Sequence, residues 1–338
     1  MASPPRVLAG GRTDGPDVSV LVPARNEASS LDVLALRVRE ALNAQGLSWE
    51  LIVIDDGSTD DTAAVIRALS AQEPRVRGRI LAGHQGKSAA LACGIQAARG
   101  RYVVLMDADL QDLPEELPVL LGPVLRDELD LAQAWRIERQ DAALKVAVSR
   151  VFNGLCSAFS GLRVHDVNCG FKAMRREVAA RLVLAEGMHR FIPVQAWRCG
   201  FRVGEVRVRH ARRAFGRSRY GAFRYLQGLN DLVGAVLLPR ILKTVAPLLT
   251  PVGLLALLLG TGAGAILLVH VVQQRTGQLW ELGLSTLGLA GFGLLCLALS
   301  TLERLRASVD GQSRTRTFVL GESIEGDPAR SETGADAR

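Results

Sequence analysis

Two stretches near the end of the chain, residues 244–272 and 282–302, contain no Asp, Glu, Lys or Arg. Each exceeds the roughly 20 apolar residues with which an α-helix crosses a bilayer. A pair of buried core helices is the alternative, but such helices seldom run this long without a charge. The link between them, 273–281, is short, so the two stretches read as transmembrane helices forming a hairpin, with both chain ends on one side. Arg240 and Lys243 precede the first stretch and Arg304 and Arg306 follow the second, while the link carries only Arg275. Positive flanks stay cytoplasmic, so the regions before and after the hairpin are expected to face the cytosol. The start, MASPPRVLAGGRTDGPD, has no long apolar run, and no cleaved signal peptide is expected. Five scattered cysteines without a CxxC pair suit a reducing compartment and argue against a disulfide framework or zinc site. Many Arg and Ala with only four lysines hint at a GC-rich bacterial genome, and hence at a bacterial inner membrane.

Ahead of the hairpin, strand and helix signals alternate. VSVLVP (18–23), WELIVID (49–55), a short run near 79–81, YVVLMD (102–107) and LDLAQAW (129–135) read as strands. Helical patterns lie between them at 27–44, 60–70 and 88–98 and after Pro114, with Ser58 or Thr59 available to cap the second. Apolar strands separated by helices indicate an α/β fold with a mainly parallel, Rossmann-like sheet covered on both faces. Ligands collect at the carboxyl ends of such strands, and three of these ends are acidic: PARNE (23–27), DDGSTD (55–60) and DADLQD (107–112). No GxGxxG follows the first strand, which excludes a dinucleotide site of the glycine-fingerprint type. GHQGKS (83–88) has the wrong spacing for a phosphate-binding P-loop.

An acidic rim repels a phosphorylated ligand unless a divalent cation lies between them. Carboxylate oxygens suit Mg2+ or Mn2+, which bind through one or two carboxylates plus substrate phosphates. In DAD, Asp107 and Asp109 share a face because residues two apart in an extended segment do so. The plainer reading is that Asp109 or Asp112 caps the helix near Pro114. Two more acidic strand ends on the same rim weigh against it.

PARNE, DDGSTDDT, GKSAALACGIQAARG, DADLQD, DVNCGFKAMRREV, HRFIP and RRAFGRSRYG follow one another across residues 18–221. In this order they resemble the family-two glycosyltransferases of the GT-A fold. Within that family they are most similar to the polyprenyl-phosphate branch of dolichol-phosphate mannose synthases and bacterial undecaprenyl-phosphate glycosyltransferases. The resemblance implies that Pro23, Arg25, Glu27, Ile54 and Asp56 line a nucleoside pocket. It also implies that Asp107, Asp109 and Gln111, with Ala108 beside them, organise the metal under the donor diphosphate. Arg25 departs from the family, which often has an aromatic residue there, and His84 stands where Asn is common. Arg136 and Arg150 match positions that grip the acceptor phosphate, and Arg213 and Arg219 match a mobile basic loop that closes over donor and acceptor.

The reaction implied is metal-dependent, inverting transfer of a sugar from GDP-mannose or a UDP-sugar to a polyprenyl or dolichyl phosphate at the cytosolic membrane face. The product would be a β-linked prenyl phosphosugar. A phosphate with a second pKa near 6 is largely deprotonated in the cytosol and needs no general base. Asp166 is then read either as shaping the acceptor pocket or as bracing a turn. The alternatives are transfer to another membrane lipid, which would need such a base, and a catalytically silent scaffold that binds nucleotide sugar or prenyl phosphate. The expected partners are a nucleotide-sugar donor, a polyprenyl phosphate and the lipid bilayer, with no nucleic acid; a homo-oligomer stays open. The basic run 198–224, nine arginines against Glu205, suits anionic lipid heads or phosphate. The organisation expected is a mobile tail (1–16), a GT-A catalytic domain (17–210), a basic loop with interfacial helices (211–243), the two spans, and a polar tail (303–338).

Overall fold

The structure, a computed structural model, describes residues 15–136, 161–162, 164–211, 238–273, 279–312 and 318–326, with Gly154 and Ser157 in addition. These fall into two compact units, one made of the residues before 232 together with those after 315, the other of residues 232–315.

In the first unit the apolar runs become strands because alternate side chains enter two different cores. In β1 (Val18–Ala24) Val18, Val20 and Val22 pack on one face and Leu21 on the other. In β2 (Trp49–Asp55) Leu51 and Val53 join the first face, Ile52 and Ile54 the second. Helices α1 (Ala28–Asn43), α2 (Thr62–Gln72) and α4 (Leu117–Leu125) cover the first face. On the second face lie α3 (Lys87–Ala97), α5 (Arg176–Ala179) and α6 (Ile192–Arg198).

The remaining strands are β3 (Val76–Leu81), β4 (Tyr102–Leu105), β5 (Leu131–Arg136), β6 (Lys172–Arg175), β7 (Val203–Val208) and β8 (Leu320–Ile324). Their order across the sheet is β7-β5-β6-β4-β1-β2-β3-β8. Strands β3, β2, β1 and β4 are mutually parallel, and only β6 and β8 run against the rest. The mainly parallel α/β sheet expected from the sequence is therefore present. Because β2, β1 and β4 are neighbours, their acidic carboxyl ends share one rim.

Two local expectations are corrected. Ser58 and Thr59 do not cap α2: the Ser58 hydroxyl is drawn to the Asp55 carboxylate and accepts from Asn26 N (2.8 Å), while Thr59 N donates to Asn26 Oδ1 (2.7 Å). The N-cap position is Asp61, whose side chain makes no capping bond; Asp60, one residue earlier, accepts from Thr62 N at 3.1 Å. The region 303–338 is not a polar tail throughout. Instead, the second long helix continues to Gln312, and residues 320–324 form β8 on the edge of the sheet.

The second unit is a pair of helices, α7 (Leu238–Val272) and α8 (Leu279–Gln312). Within them Pro247–Val272 and Gly283–Leu302 are long and apolar enough to cross a membrane. They run antiparallel and pack closely at glycines. A Cβ on Gly253 would lie 3.0 Å from the Gly293 carbonyl oxygen, and one on Gly293 would lie 2.8 Å from that of Gly253. Such small-residue contacts bring helix backbones together where no hydrophobic force drives association. Thr250 and Ser300 add a hydroxyl–hydroxyl bond of 2.7 Å.

Candidate active site

The crest begins where β1 ends. Asn26 adopts a left-handed backbone (φ 55°), which short polar side chains tolerate, and its amide reaches across to Thr59. Glu27 N donates to Thr62 Oγ1 (3.0 Å). PARNE and DDGSTD are thus tied into one loop pair, with Pro23 half-buried and Arg25 exposed beside it. Gly57 is required there: its φ is +65°, and a Cβ would sit 2.4 Å from the backbone of Gly83 and His84.

That close approach brings the 84–86 loop onto Asp56. The buried Asp56 carboxylate accepts from Gln85 N (2.7 Å) and Gly86 N (3.0 Å) on Oδ1, and Oδ2 lies 2.8 Å from His84 Nδ1. Ile54 is fully buried, with Gly94 making room for its side chain, and Ala108 is buried as well. Any part these two take in a pocket is through their main chain.

At the end of β4, Asp107 is partly exposed while Asp109 and Asp112 are buried. Neither Asp109 nor Asp112 caps the following helix. Asp112 Oδ2 accepts from Asp107 N (3.3 Å) and Asp109 Oδ1 from Gln111 N (3.2 Å), so both fold the turn back on itself. Leu110, at φ 59°, takes the left-handed bend this requires.

Lys87, the first residue of α3, donates from Nζ to Asp107 Oδ1. Burial disfavours its charge, but Asp107, Asp112 and Asp109 outweigh that and raise its pKa above the usual lysine value. Burial likewise raises Asp107, but the Lys87 ammonium, with Lys172 and His189 behind it, brings its pKa below the ordinary carboxylate value. Burial and the Asp107 charge push Asp112 the other way, up to about 7. Two neighbouring carboxylates are thus held in opposite states.

The floor is supplied by the CGFK segment. A Cβ on Gly170 would lie 2.9 Å from Asp107 Oδ2, so a larger residue there would push the carboxylate aside. Lys172 is buried and donates from Nζ to the Cys169 carbonyl; burial lowers its pKa to about 8. His189 Nδ1 lies 2.9 Å from Ser88 Oγ, and burial with the surrounding cations depresses its pKa well below the normal histidine value.

Arg136, at the end of β5, forms a two-pronged pair with buried Asp166: Nε to Oδ2 at 2.7 Å and Nη2 to Oδ1 at 3.1 Å. Gln133 Nε2 supports the same loop by donating to the carbonyls of Asp166 (3.0 Å) and Cys169 (3.2 Å). Beyond β7 the chain passes the crest: Ala211 N donates to Gln111 O (2.9 Å) and His210 bridges to Asp112. Ala211, the last described residue before the basic segment RRAFGRSRYG, is thus held at Gln111. Arg150, Arg213 and Arg219 lie outside the described residues.

Among the described residues no three His, Cys, Asp or Glu side chains converge into a metal-holding group. What fits a divalent ion is a site of one or two carboxylates, Asp107 and Asp109, completed by ligand phosphate oxygens. The sequence assigns no role to Lys87, Gly170, Lys172 or His189. Only the lysine carries a local signal, a lone GKS after a glycine turn, whose spacing is not that of a P-loop.

Residues 19–183 match the family described as "Glycosyl transferase family 2". The chain is 36% identical over 230 residues to the dodecaprenyl-phosphate galacturonate synthase of Rhizobium johnstonii, covering 66% of this chain and 68% of that protein. It is 36% identical over 217 residues to the undecaprenyl-phosphate 4-deoxy-4-formamido-L-arabinose transferase of Pseudomonas aeruginosa, covering 64% of each. Among solved structures, a glucosyl-3-phosphoglycerate synthase from Mycobacterium tuberculosis in complex with Mn2+, UDP and phosphoglyceric acid superposes with a TM-score of 0.51. That match has 23% identity and covers 65% of this chain and 78% of the other; at this identity it speaks for the fold.

Proposed function

Because this chain belongs to glycosyl transferase family 2 and is a glycosyltransferase, we propose that it transfers a sugar from a nucleotide-sugar donor to the phosphate of a polyprenyl phosphate at the cytosolic membrane face. The observation that carries this reading is the crest itself. Carboxylates Asp107 and Asp109, the ammonium of Lys87 and the root of an arginine-rich segment at Gln111 meet at the end of one strand. The names of the two relatives, both transferases to a prenyl phosphate, agree with it.

The donor's nucleoside would lie over Pro23, Arg25, Glu27 and Asp56, and its diphosphate over Asp107, Asp109 and Gln111. A divalent cation, Mg2+ or Mn2+, held by Asp107 and Asp109 would neutralise the diphosphate as a Lewis acid. Lys87 adds a second positive charge on the same side, where negative charge grows as the nucleoside diphosphate departs. The acceptor phosphate would be met by Arg136, whose guanidinium is already oriented by Asp166, and by Arg150, Arg213 and Arg219. An oxygen of that phosphate attacks the anomeric carbon from the face opposite the diphosphate. The bond to the diphosphate oxygen breaks, its electron pair leaves with the diphosphate, and the configuration inverts to a β-linked product. No proton has to be removed from the phosphate near neutral pH.

A hydroxyl acceptor would need a base, and Asp166 is poorly placed to be one. Both its oxygens face Arg136, and its side chain is only 2% exposed. Positioning therefore supplies most of the rate. The two apolar helices suit an enzyme whose acceptor keeps its tail in lipid, with the crest-bearing unit and both chain ends on the cytosolic side. The test is a screen of labelled UDP- and GDP-sugars against membranes holding the protein and a short prenyl phosphate. Transfer of label into an organic-extractable, acid-labile lipid is expected for at least one donor. Label appearing only in an alkali-labile acylglycerol, or in no lipid with any donor, refutes the proposal.

A further inference from the structure

The chain leaves the catalytic unit, makes the two long helices and returns to finish the sheet. Strand β8 lies antiparallel on β3, with Gly78 opposite Ile324, Arg79 opposite Ser323 and Ile80 opposite Glu322. Three arginines of the receiving side find acids in the returning segment: Arg67 Nε to Glu322 Oε1 at 3.1 Å, Arg77 Nε to Glu325 Oε2 at 2.7 Å, and Arg79 Nη2 to Glu325 Oε1 at 2.6 Å. Arg77 is itself buried and also donates to buried Glu50 at 2.5 Å. Ile324 packs against one core of the unit and Phe318 against the other. Covering a sheet edge in this way also removes a row of unpaired backbone groups.

Just before the strand, Val319 makes three bonds to the loop that carries the Asp56 contacts. Its carbonyl accepts from Ala82 N (3.0 Å) and Gln85 Nε2 (2.7 Å), and its N–H donates to Gln85 Oε1 (2.6 Å). Gln85 N in turn donates to Asp56 Oδ1 at 2.7 Å. The loop is otherwise held from the other side, by Asp56 through His84 and Gly86 and by its close approach to Gly57. Gly83 and Gly86 have φ of +154° and +90°, and a Cβ built on either would meet nothing within 4 Å. Two glycines in four residues leave the backbone much conformational freedom to lose.

We infer that residues 319–325 are a clasp on the 83–86 loop, with Gln85 the positioning residue that passes its hold to Asp56. The functional part of this inference rests on Asp56 serving the nucleoside pocket proposed above. Donor binding then depends on a segment more than 230 residues away in sequence from the loop it braces.

The test uses the full-length protein in detergent micelles, with two variants: Gln85→Ala, and the double change Glu322→Ala with Glu325→Ala. Amide hydrogen exchange is read at positions 85 and 86, and UDP and GDP are titrated by calorimetry. In both variants, protection at 85 and 86 should fall by about tenfold or more, as for the loss of one or two net hydrogen bonds. Strands β1 and β2 should keep their protection, which separates a loosened loop from misfolding. Nucleotide affinity should fall about tenfold, with the KM for prenyl phosphate unchanged. Exchange at 85 and 86 that matches the wild-type chain in Gln85→Ala overturns the clasp. A wild-type chain that binds neither UDP nor GDP overturns the nucleotide pocket, and loop exchange still decides the clasp.

Discussion

Replacing Lys87 with Met removes the positive charge that, among the described residues, touches Asp107, and keeps most of the side chain's volume. Lys87 and Asp107 retain 32% and 39% side-chain exposure, so solvent screens the pair. Its loss should cost about 1 kcal/mol of stability, well short of the ~3–5 kcal/mol expected for breaking a fully buried pair. Catalysis should suffer much more. A fixed charge facing a leaving diphosphate is a preorganised electrostatic contact, and removing one such contact lowers turnover by about 10²–10³. Binding of Mn2+ in the absence of nucleotide should move the opposite way. With the ammonium gone, its competition for the Asp107 carboxylate ends, so the ion binds more tightly. Turnover is read from labelled lipid product, metal affinity from the paramagnetic signal of unbound Mn2+, and stability from thermal unfolding. A Lys87→Met enzyme with wild-type turnover and unchanged Mn2+ affinity would refute the placement of both the diphosphate and the ion at Asp107.

Asp109→Ala should abolish metal-dependent transfer while the unfolding temperature stays within a few degrees; wild-type turnover with Mg2+ or Mn2+ would remove Asp109 from the metal site. Arg213→Ala should weaken transfer without unfolding the chain, and unchanged kinetics for both substrates would deny the basic segment its role. Asp166→Ala leaves the Arg136 guanidinium largely buried and unpaired and should cost ~3 kcal/mol or more, visible as a fall in denaturant midpoint; a loss under ~1 kcal/mol contradicts the reading of this pair as buried. In the metal-free protein, Asp112 keeps its proton up to about pH 7, whereas an unfolded carboxyl titrates near 3.8. The folded form is therefore favoured at low pH, and this contribution is lost as pH rises from about 4 to 7. Asp112→Asn should flatten that part of the stability curve, and an unchanged slope would assign the titration elsewhere.

The parts of this molecule that could be read from its sequence are those written locally. Near-continuous apolar runs mark β1, β2 and β4, and the absence of charge marks the two long helices. The acids at three strand ends point to one rim, since parallel neighbours deliver their carboxyl ends together. What escaped detection was contact across the sheet and across the chain. Lys87 opens α3 just after Gly86, at φ 90°, and from there meets Asp107 at the end of β4, while Gly170 approaches the same carboxylate from the CGFK segment. Neither fact has a local spelling.

The returning strand is the sharpest case. LGESI is short, polar and half-exposed, and it follows a long helix and a run of Ser, Arg and Thr, so by composition it belongs to a tail. It becomes a strand because β3 offers an open edge with Arg77 and Arg79 on it, and because Glu322 and Glu325 fall in register with the arginines that need them. Strand propensity reflects fit to the neighbouring surface more than an intrinsic backbone preference. A search for such segments would do better to ask which buried cations keep donors to spare once their nearer partners are met. Arg77, only 6% exposed in its side chain, gives Nη1 to Glu50, and its Nε is left for Glu325.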